Sequence, residues 1–159
     1  MKRLLSLVLL LILLLTGCAD RIREPVVFYY VRTGYEENMS AVLGAERREA
    51  SGHRDDLSYL LALYLMGPTN EELHSPLPAG TRMFSAQRSG TSLTLYLSDT
   101  TDSITDIQFT LACSCLTMTC MELTDVESVT IHSGDRSITM DADTLLLQDP
   151  ITVELEDSQ

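Results

Sequence analysis

The chain has 159 residues, of which 23 are Asp or Glu and 11 are Lys or Arg, so its formal net charge is −12. This balance argues against a nucleic-acid-binding protein, because phosphate backbones are recognised by stripes of Lys and Arg. It favours a protein partner with a basic surface, which an acidic chain would attract. The length is typical of one domain with one core.

The N-terminal segment has the pattern of a bacterial lipoprotein export signal. Two basic residues precede an apolar run over residues 4–15, and Gly17 stands directly before Cys18. The run is shorter than the roughly 20 apolar residues that a transmembrane helix needs. We therefore predict a signal peptide over residues 1–17 and attachment of a lipid to the Cys18 thiol. The mature protein is then expected to be extracytoplasmic and anchored to the cell membrane.

The rest of the chain divides into a short tether and one domain. Residues 18–25 mix acidic and basic side chains without an apolar period, which predicts an extended tether that begins at the lipidated cysteine. Residues 26–159 then form a single domain. Near its end, apolar and polar residues alternate over 151–155, which fits either an acidic edge strand or a loose tail.

Two segments at the start of the domain differ in how clearly they indicate a strand. Residues 26–31 are apolar on both faces and rich in β-branched and aromatic side chains, which is typical of a central buried strand. Residues 42–50 fit either a returning strand or a short helix, because periodicity alone does not decide between them.

The first helix is predicted over residues 57–65, where leucine and tyrosine recur at helical spacing. Asp55 and Asp56 are suitable N-cap residues, because their carboxylates can accept hydrogen bonds from the first backbone N–H groups. Gly67 and Pro68 would end the helix, since glycine favours the C-terminal cap and proline cannot continue the hydrogen-bond pattern.

The polar loop over residues 69–80 is the candidate docking segment. Pro76 and Pro78 stiffen its second half. A rigid loop loses less conformational entropy when a partner binds, so this segment is the first to test for an interaction. An ordinary connector between the helix and the following hairpin fits the same residues equally well.

Two hairpins complete the predicted sheet. Residues 81–87 and 91–97 form the first, and strands around Val129 and Ile138 form the second. Strands that alternate with two helices over this length predict an α+β fold. We expect a two-layer sandwich in which a mixed or antiparallel sheet carries two helices on one face.

The second helix is predicted to run from Asp102 or Ser103, either of which can cap it, to about Leu123. Its threonine and cysteine content is poor for an isolated helix, so it must be held by packing against the sheet. Its inward side is predicted to carry Ile104, Ile107, Leu111, Cys115 and Met118.

The cysteines are predicted to be buried thiols, apart from Cys18. Cys113, Cys115 and Cys120 lie within this one helix, where their spacing does not bring two sulfur atoms into disulfide geometry. No second Cys or His pair is present to complete a metal site with them. Thiols in an apolar helix are usually structural.

Catalytic motifs are absent from the sequence. It contains no nucleophile elbow, P-loop, zinc-binding His-Glu-x-x-His helix or dinucleotide-binding glycine set. His53, His74 and His132 are isolated in or next to polar segments and are interpreted as solvated loop residues. We therefore predict a protein that is not an enzyme and needs neither a cofactor nor a metal.

Two groups of carboxylates have some features of a cation site. The segment that starts with Asp141 and Asp143 resembles the start of a calcium-binding loop, but it lacks the glycine and the terminal Glu that such a loop needs. Asp99, Asp102 and Asp106 could converge beside the second helix. Helix capping and the helix dipole explain the last two without a cation.

Several of these features, in this order and spacing, resemble the GerMN domain of sporulation and spore germination proteins. The matching segments are residues 26–31, Leu65-Met66-Gly67-Pro68, Pro78-Ala79-Gly80-Thr81, residues 93–98, Leu116-Thr117-Met118-Thr119 with Leu123, residues 126–131 and Gly134. The resemblance covers about residues 26–143. It implies a lipid-anchored, non-catalytic module of the cell envelope that acts through protein contacts, with a fold similar to ring-building motifs.

The same resemblance has two further implications. Residues 42–50 would be a strand, with Leu43, Glu46 and Arg47 placed as in many members. The germination lipoprotein that gives the family its name looks like a tandem of two such domains, whereas this chain would hold one.

Three functional hypotheses follow. We expect a protein-interaction module of the cell envelope, in sporulation or spore germination, that docks through a sheet edge or an outer helical face. A ligand-binding lipoprotein that captures a cell-wall fragment or a peptide is the alternative, and it would need a concave pocket with convergent polar groups. A wall-active enzyme would need two carboxylates, or a nucleophile and a base, within one cleft.

Overall fold

The computed structural model describes residues 25–34, 42–50 and 52–146. The predicted signal peptide, Cys18 and the alternating segment 151–155 lie outside the described residues. In chain order the elements are β1 (Pro25–Arg32), β2 (Leu43–Glu49), α1 (Leu57–Leu65), β3 (Leu73–His74), β4 (Met83–Ser89), β5 (Ser92–Leu97), a 3-10 helix (Asp99–Ser103), α2 (Asp106–Leu123), β6 (Ser128–Ser133), β7 (Arg136–Asp141) and α3 (Ala142–Leu146). The predicted α+β class is confirmed. Within these ranges no helix is long and apolar enough to cross a membrane.

The described strands form two sheets, where the sequence led us to expect one. The first has the order β2-β1-β3 and is antiparallel. The second has the order β4-β5-β6-β7, with β5 and β6 parallel and the other pairs antiparallel. Strand β1 is central and buried, as predicted, with Phe28 and Tyr30 fully inaccessible. The segment 42–50, left open between helix and strand, contains β2.

Helix α2 is the most deeply buried helix of the described part, because it contacts β1 of one sheet and both β6 and β7 of the other. Its middle carries small residues such as Ala112, Ser114 and Thr117, all of them buried. The Thr119 hydroxyl accepts a hydrogen bond from the backbone N–H of Tyr29 (3.0 Å), so the helix also provides a hydrogen-bond partner for the backbone of β1. Small side chains let a helix approach neighbouring backbones closely.

The predicted inward face of α2 was partly wrong. Cys115 is buried, but Ile107 is 81% exposed. The reason is that the first turn of the helix is exposed and burial begins at Phe109, so the buried side is centred on residues such as Phe109, Cys113 and Leu116. The N-cap is Thr105, which forms a capping box with Gln108. Asp102 and Ser103, the predicted caps, lie in the preceding 3-10 helix.

Helix α1 follows the prediction closely. The Asp56 carboxylate accepts a hydrogen bond from the backbone N–H of Tyr59 (3.0 Å), which caps the first turn. Gly67 has a φ of 87°, a conformation that glycine adopts without strain, and it turns the chain out of the helix.

The three cysteines of α2 are free and buried, which confirms their predicted burial. Burial raises the pKa of each of the thiols of Cys113, Cys115 and Cys120 to about 12. They are therefore protonated at neutral pH. A protonated, inaccessible thiol is a poor nucleophile, so these residues serve packing.

Candidate interaction groove

The first half of the loop over residues 69–80 is fastened to both β1 and β2. The backbone N–H of Thr69 donates to the Glu46 carboxylate (3.1 Å to Oε1), and the Thr69 hydroxyl bonds the same group. Farther along, β3 pairs with the end of β1. The loop is therefore built into the edge of the three-stranded sheet.

The second half of the loop is held by a hydrogen bond from Thr81, the residue that follows it. The Thr81 hydroxyl donates to the carbonyl of Pro78 (2.7 Å) and lies 2.8 Å from the Thr100 hydroxyl. Leu77 is buried in the core and is only 6% exposed. Two prolines, a buried anchor and these contacts fix the conformation of the loop before any partner arrives.

A groove of about 220 Å³ separates this loop from the start of α2. We call it the loop–helix groove. Its apolar lining is Val31, Pro76, Leu77, Pro78, Ile104 and Leu111, and His74, Ser75 and Gln108 add polar atoms. Small-molecule sites usually measure roughly 300–1,000 Å³. The loop–helix groove is smaller, which suits a side chain of a docked peptide better than a whole ligand.

An exposed apolar side chain adjoins the loop–helix groove. Ile107 is 81% exposed and lies one helical turn before Leu111, on the same side of α2. An isolated exposed apolar residue is ordinary, but one that continues an apolar groove enlarges the surface that a partner can cover.

A buried ion pair between Glu46 and Arg48 holds the start of the loop, since Glu46 is the group that Thr69 bonds. Glu46 and Arg48 are 7% and 10% exposed, and Nε of Arg48 lies 3.1 Å from Oε1 of Glu46. Arg48 also donates to the carbonyls of Leu63 (3.2 Å) and Gly67 at the end of α1. Burial alone would raise the pKa of Glu46, but hydrogen bonds from Arg48 and Thr69 outweigh it and hold the pKa below its usual range.

Aromatic rings surround this ion pair. The guanidinium carbon of Arg48 lies 5.6 Å from the centroid of the Phe28 ring and 5.9 Å from that of Tyr30. Tyr30 and Tyr64 stack with centroids 4.8 Å apart, and the Tyr30 hydroxyl donates to the carbonyl of Tyr64 (3.0 Å). Arg48 was not singled out from the sequence, although Glu46 and Arg48 are two residues apart in a strand and so share a face.

The three histidines lie in different elements. His53 is exposed in a loop, as predicted, and stacks on Tyr59 with ring centroids 4.3 Å apart. His132 lies in β6, contrary to the loop assignment, and stacks on Tyr96 at 4.9 Å. His74 lies in β3 and lines the loop–helix groove.

Two of the carboxylates that could form cation sites, Asp106 and Asp141, have structural roles. Asp106 pairs with Arg136 (2.8 Å). Asp141 accepts hydrogen bonds from the backbone N–H and the hydroxyl of Thr144 (2.8 and 2.7 Å), so it caps the short helix α3. Asp99 and Asp102 lie beside the Gly134 turn. Among residues 25–34, 42–50 and 52–146, no group of three or more His, Cys, Asp or Glu side chains is arranged to hold a metal.

A second depression, of about 460 Å³, lies beside the start of α1 and Ala86. His53, Asp55 and Asp56 line it. It is wide and open to solvent, and the Asp56 carboxylate is already used as the helix cap. This surface lacks the enclosed shape that a ligand-binding lipoprotein would need.

No family model matches the sequence, and no curated protein matches it significantly. The fold is similar to the tandem GerMN domains of the sporulation protein GerM from Bacillus subtilis, with a TM-score of 0.52 and 17% sequence identity over 76% of this chain. The match spans 42% of that tandem protein, so this chain corresponds to less than half of its length. A candidate lipoprotein from Clostridium perfringens is also similar, with a TM-score of 0.48 and 12% identity over 80% of this chain and 94% of that one. The chain has a GerMN-like fold, as the sequence resemblance predicted.

Proposed function

From this GerMN-like fold we propose that the chain is a lipid-anchored, non-catalytic protein-interaction module of the cell envelope, which acts in spore formation or germination. The similarity to the GerMN domains of a sporulation protein is the observation that carries the proposal. The export-signal pattern that ends at Cys18 supports the anchoring. The acidic net charge of −12 supports a partner with a basic surface.

The described residues also support a non-catalytic role. The similar solved structures are GerMN domains and a candidate lipoprotein, neither of which is described as an enzyme. The buried Glu46 and Arg48 neutralise each other and are covered by protein. The loop–helix groove offers an apolar surface instead of a paired acid and base.

Anchoring is tested by the variant Cys18→Ala, expressed in the native host. We expect this variant to leave the membrane fraction or to accumulate as an uncut precursor, because the acceptor thiol is gone. Mass spectrometry of the native protein should show a lipid on the new N-terminal cysteine. Normal processing of Cys18→Ala with retained membrane attachment would contradict the anchor.

The interaction role is tested by crosslinking in intact cells, followed by affinity recovery of the lipidated protein from membranes of growing and sporulating cells. A protein partner present at one developmental stage is the expected result. Recovery of bound glycan or peptide in place of a protein would favour the ligand-binding alternative. Turnover of wall material that an Asp→Asn replacement abolishes would show an enzyme.

A further inference from the structure

We propose that the loop–helix groove binds an extended segment of the partner protein in which a bulky apolar side chain is flanked by Lys or Arg. This inference rests on the proposed function and adds the place of docking and the chemistry of the partner. Three properties of the groove carry it: its size, the charge around it and the apolar residue at its margin.

The size of the groove matches a side chain. Its volume is about 220 Å³, and its floor is formed by the buried residues Val31 and Leu77 with half-buried Ile104 and Leu111. An apolar side chain that enters it gains about 25 cal/mol for each Å² removed from water. The walls are already ordered by the contacts of the loop, so little of this gain is lost to fixing them.

The charge around the groove is acidic. Residues 69–111 contain five carboxylates and two arginines; two further arginines lie beside the groove, Arg32 next to Val31 and Arg136 bonded to the carbonyl of Ile104. Glu71 and Glu72 are exposed directly before β3, and Asp102 is exposed in the 3-10 helix that leads to Ile104. Arg88 is paired with Asp125 (2.6 Å) and Asp106 with Arg136 (2.8 Å), which leaves four carboxylates against Arg32 and Arg82. Lys or Arg beside the docked apolar residue would therefore meet complementary charge.

Ile107 extends the contact surface beyond the groove. It is 81% exposed at the start of α2, where the capping box of Thr105 and Gln108 fixes the backbone. A backbone that is already ordered lowers the entropy lost when a partner binds at this residue. Covering it with a partner also removes apolar surface from water.

The test uses the full-length lipidated chain in detergent micelles and a library of random peptides displayed on phage. We expect enriched peptides to carry Lys or Arg around a bulky apolar residue, and to bind more weakly as the salt concentration rises. Enrichment of acidic or uncharged peptides would overturn the proposal, and so would failure to enrich any peptide.

Two matched variants locate the binding surface. Ile107→Arg in α2 and Met66→Arg at the C-cap of α1 each add one positive charge at a residue that is 81% exposed. The affinity of the enriched peptides should fall at least about tenfold for Ile107→Arg and less than about twofold for Met66→Arg. Circular dichroism should show that both variants remain folded. Equal losses of affinity in the two variants would mean that the peptides are held by the overall negative charge of the protein. That result would overturn the proposal that they bind in the groove.

The outcomes separate this inference from the proposed function. A native partner that stays bound to Ile107→Arg in cells would refute the groove but leave the interaction role intact. Basic peptides that bind in the groove, together with membranes that yield no protein partner, would support the groove and refute the role.

Discussion

Two arginines, Arg48 and Arg136, fasten different parts of the domain in a similar way. Arg48 donates to carbonyls at the end of α1, and Arg136 donates to carbonyls of the segment that leads into α2. Each guanidinium also lies against an aromatic ring, Arg48 at 5.6 Å from the Phe28 centroid and Arg136 at 4.0 Å from that of Phe109. Both therefore join a strand to a helix end.

The carboxylate partners of the two arginines differ in burial. Glu46, beside Arg48, is 7% exposed, whereas Asp106, beside Arg136, is fully exposed. Water screens an exposed ion pair, but a buried charge that loses its partner cannot be solvated. We infer that the Arg48 site depends on charge balance. The Arg136 site depends on the hydrogen bonds and ring contact of the arginine itself.

The largest effect is expected when each arginine is replaced by methionine, which keeps most of the apolar stem. Arg48→Met should lower the free energy of unfolding by about 3–5 kcal/mol, because Glu46 remains buried without a counter-charge. Arg136→Met should cost about 1–3 kcal/mol from its lost hydrogen bonds. Urea denaturation measures both losses. The control is Arg47→Met, an exposed position on the same strand, which should lose less than about 0.5 kcal/mol. Similar losses for Arg48 and Arg136 would contradict the comparison.

Substitutions of the acidic partners, Glu46 and Asp106, should also differ in their effect on stability. Glu46→Gln should cost about 3 kcal/mol, because the amide keeps the shape of the side chain but leaves Arg48 unneutralised in the interior. Asp106→Asn should leave the unfolding midpoint unchanged, since its carboxylate is fully exposed. Chemical denaturation at neutral pH measures this contrast. An unchanged midpoint for Glu46→Gln would show that the buried pair is energetically neutral.

The pH dependence of stability provides a smaller and independent readout. The pKa of Glu46 is lower in the folded protein than in the unfolded chain, so the unfolded chain binds its proton at higher pH. The contribution of this group is therefore fully present above its unfolded pKa and is lost as the pH falls through its folded pKa. Glu46→Gln should flatten the acid side of the stability profile. If the stability of Glu46→Gln fell at acid pH as steeply as that of the unchanged protein, Glu46 would not be the source of this pH dependence.

The elements predicted correctly are those specified by their own residues. Strand β1 is apolar on both faces, and α1 has an N-cap at Asp56 and a glycine–proline stop at Gly67 and Pro68. These signals are local, so a sequence pattern can reveal them. The resemblance also assigned residues 42–50 to a strand, as the structure shows.

The interior of α2 and the loop–helix groove could not be predicted in the same way. Helix α2 contacts strands of both sheets, and its buried side carries threonines and cysteines that an apolar pattern does not single out. The sequence therefore placed Ile107 inside, although the first turn of the helix is exposed. The groove exists because the loop over residues 69–80 meets the start of α2, which is a contact between distant segments. The lipid on Cys18 stays a prediction, since that residue lies outside the described part.

The smallest expected effect concerns the stacked tyrosines beside Arg48. The Tyr30 hydroxyl donates to the carbonyl of Tyr64, whereas the Tyr64 hydroxyl is buried and has no hydrogen-bond partner within the described structure. Tyr30→Phe should therefore cost about 1 kcal/mol. Tyr64→Phe should be neutral or slightly stabilising, because it removes an unsatisfied polar atom and keeps the stacked ring. Thermal unfolding of both variants measures the difference. A larger loss in Tyr64→Phe than in Tyr30→Phe would mean that the Tyr64 hydroxyl has a bound partner, and that the Arg48 site relies on more polar contacts than the ion pair and its carbonyls.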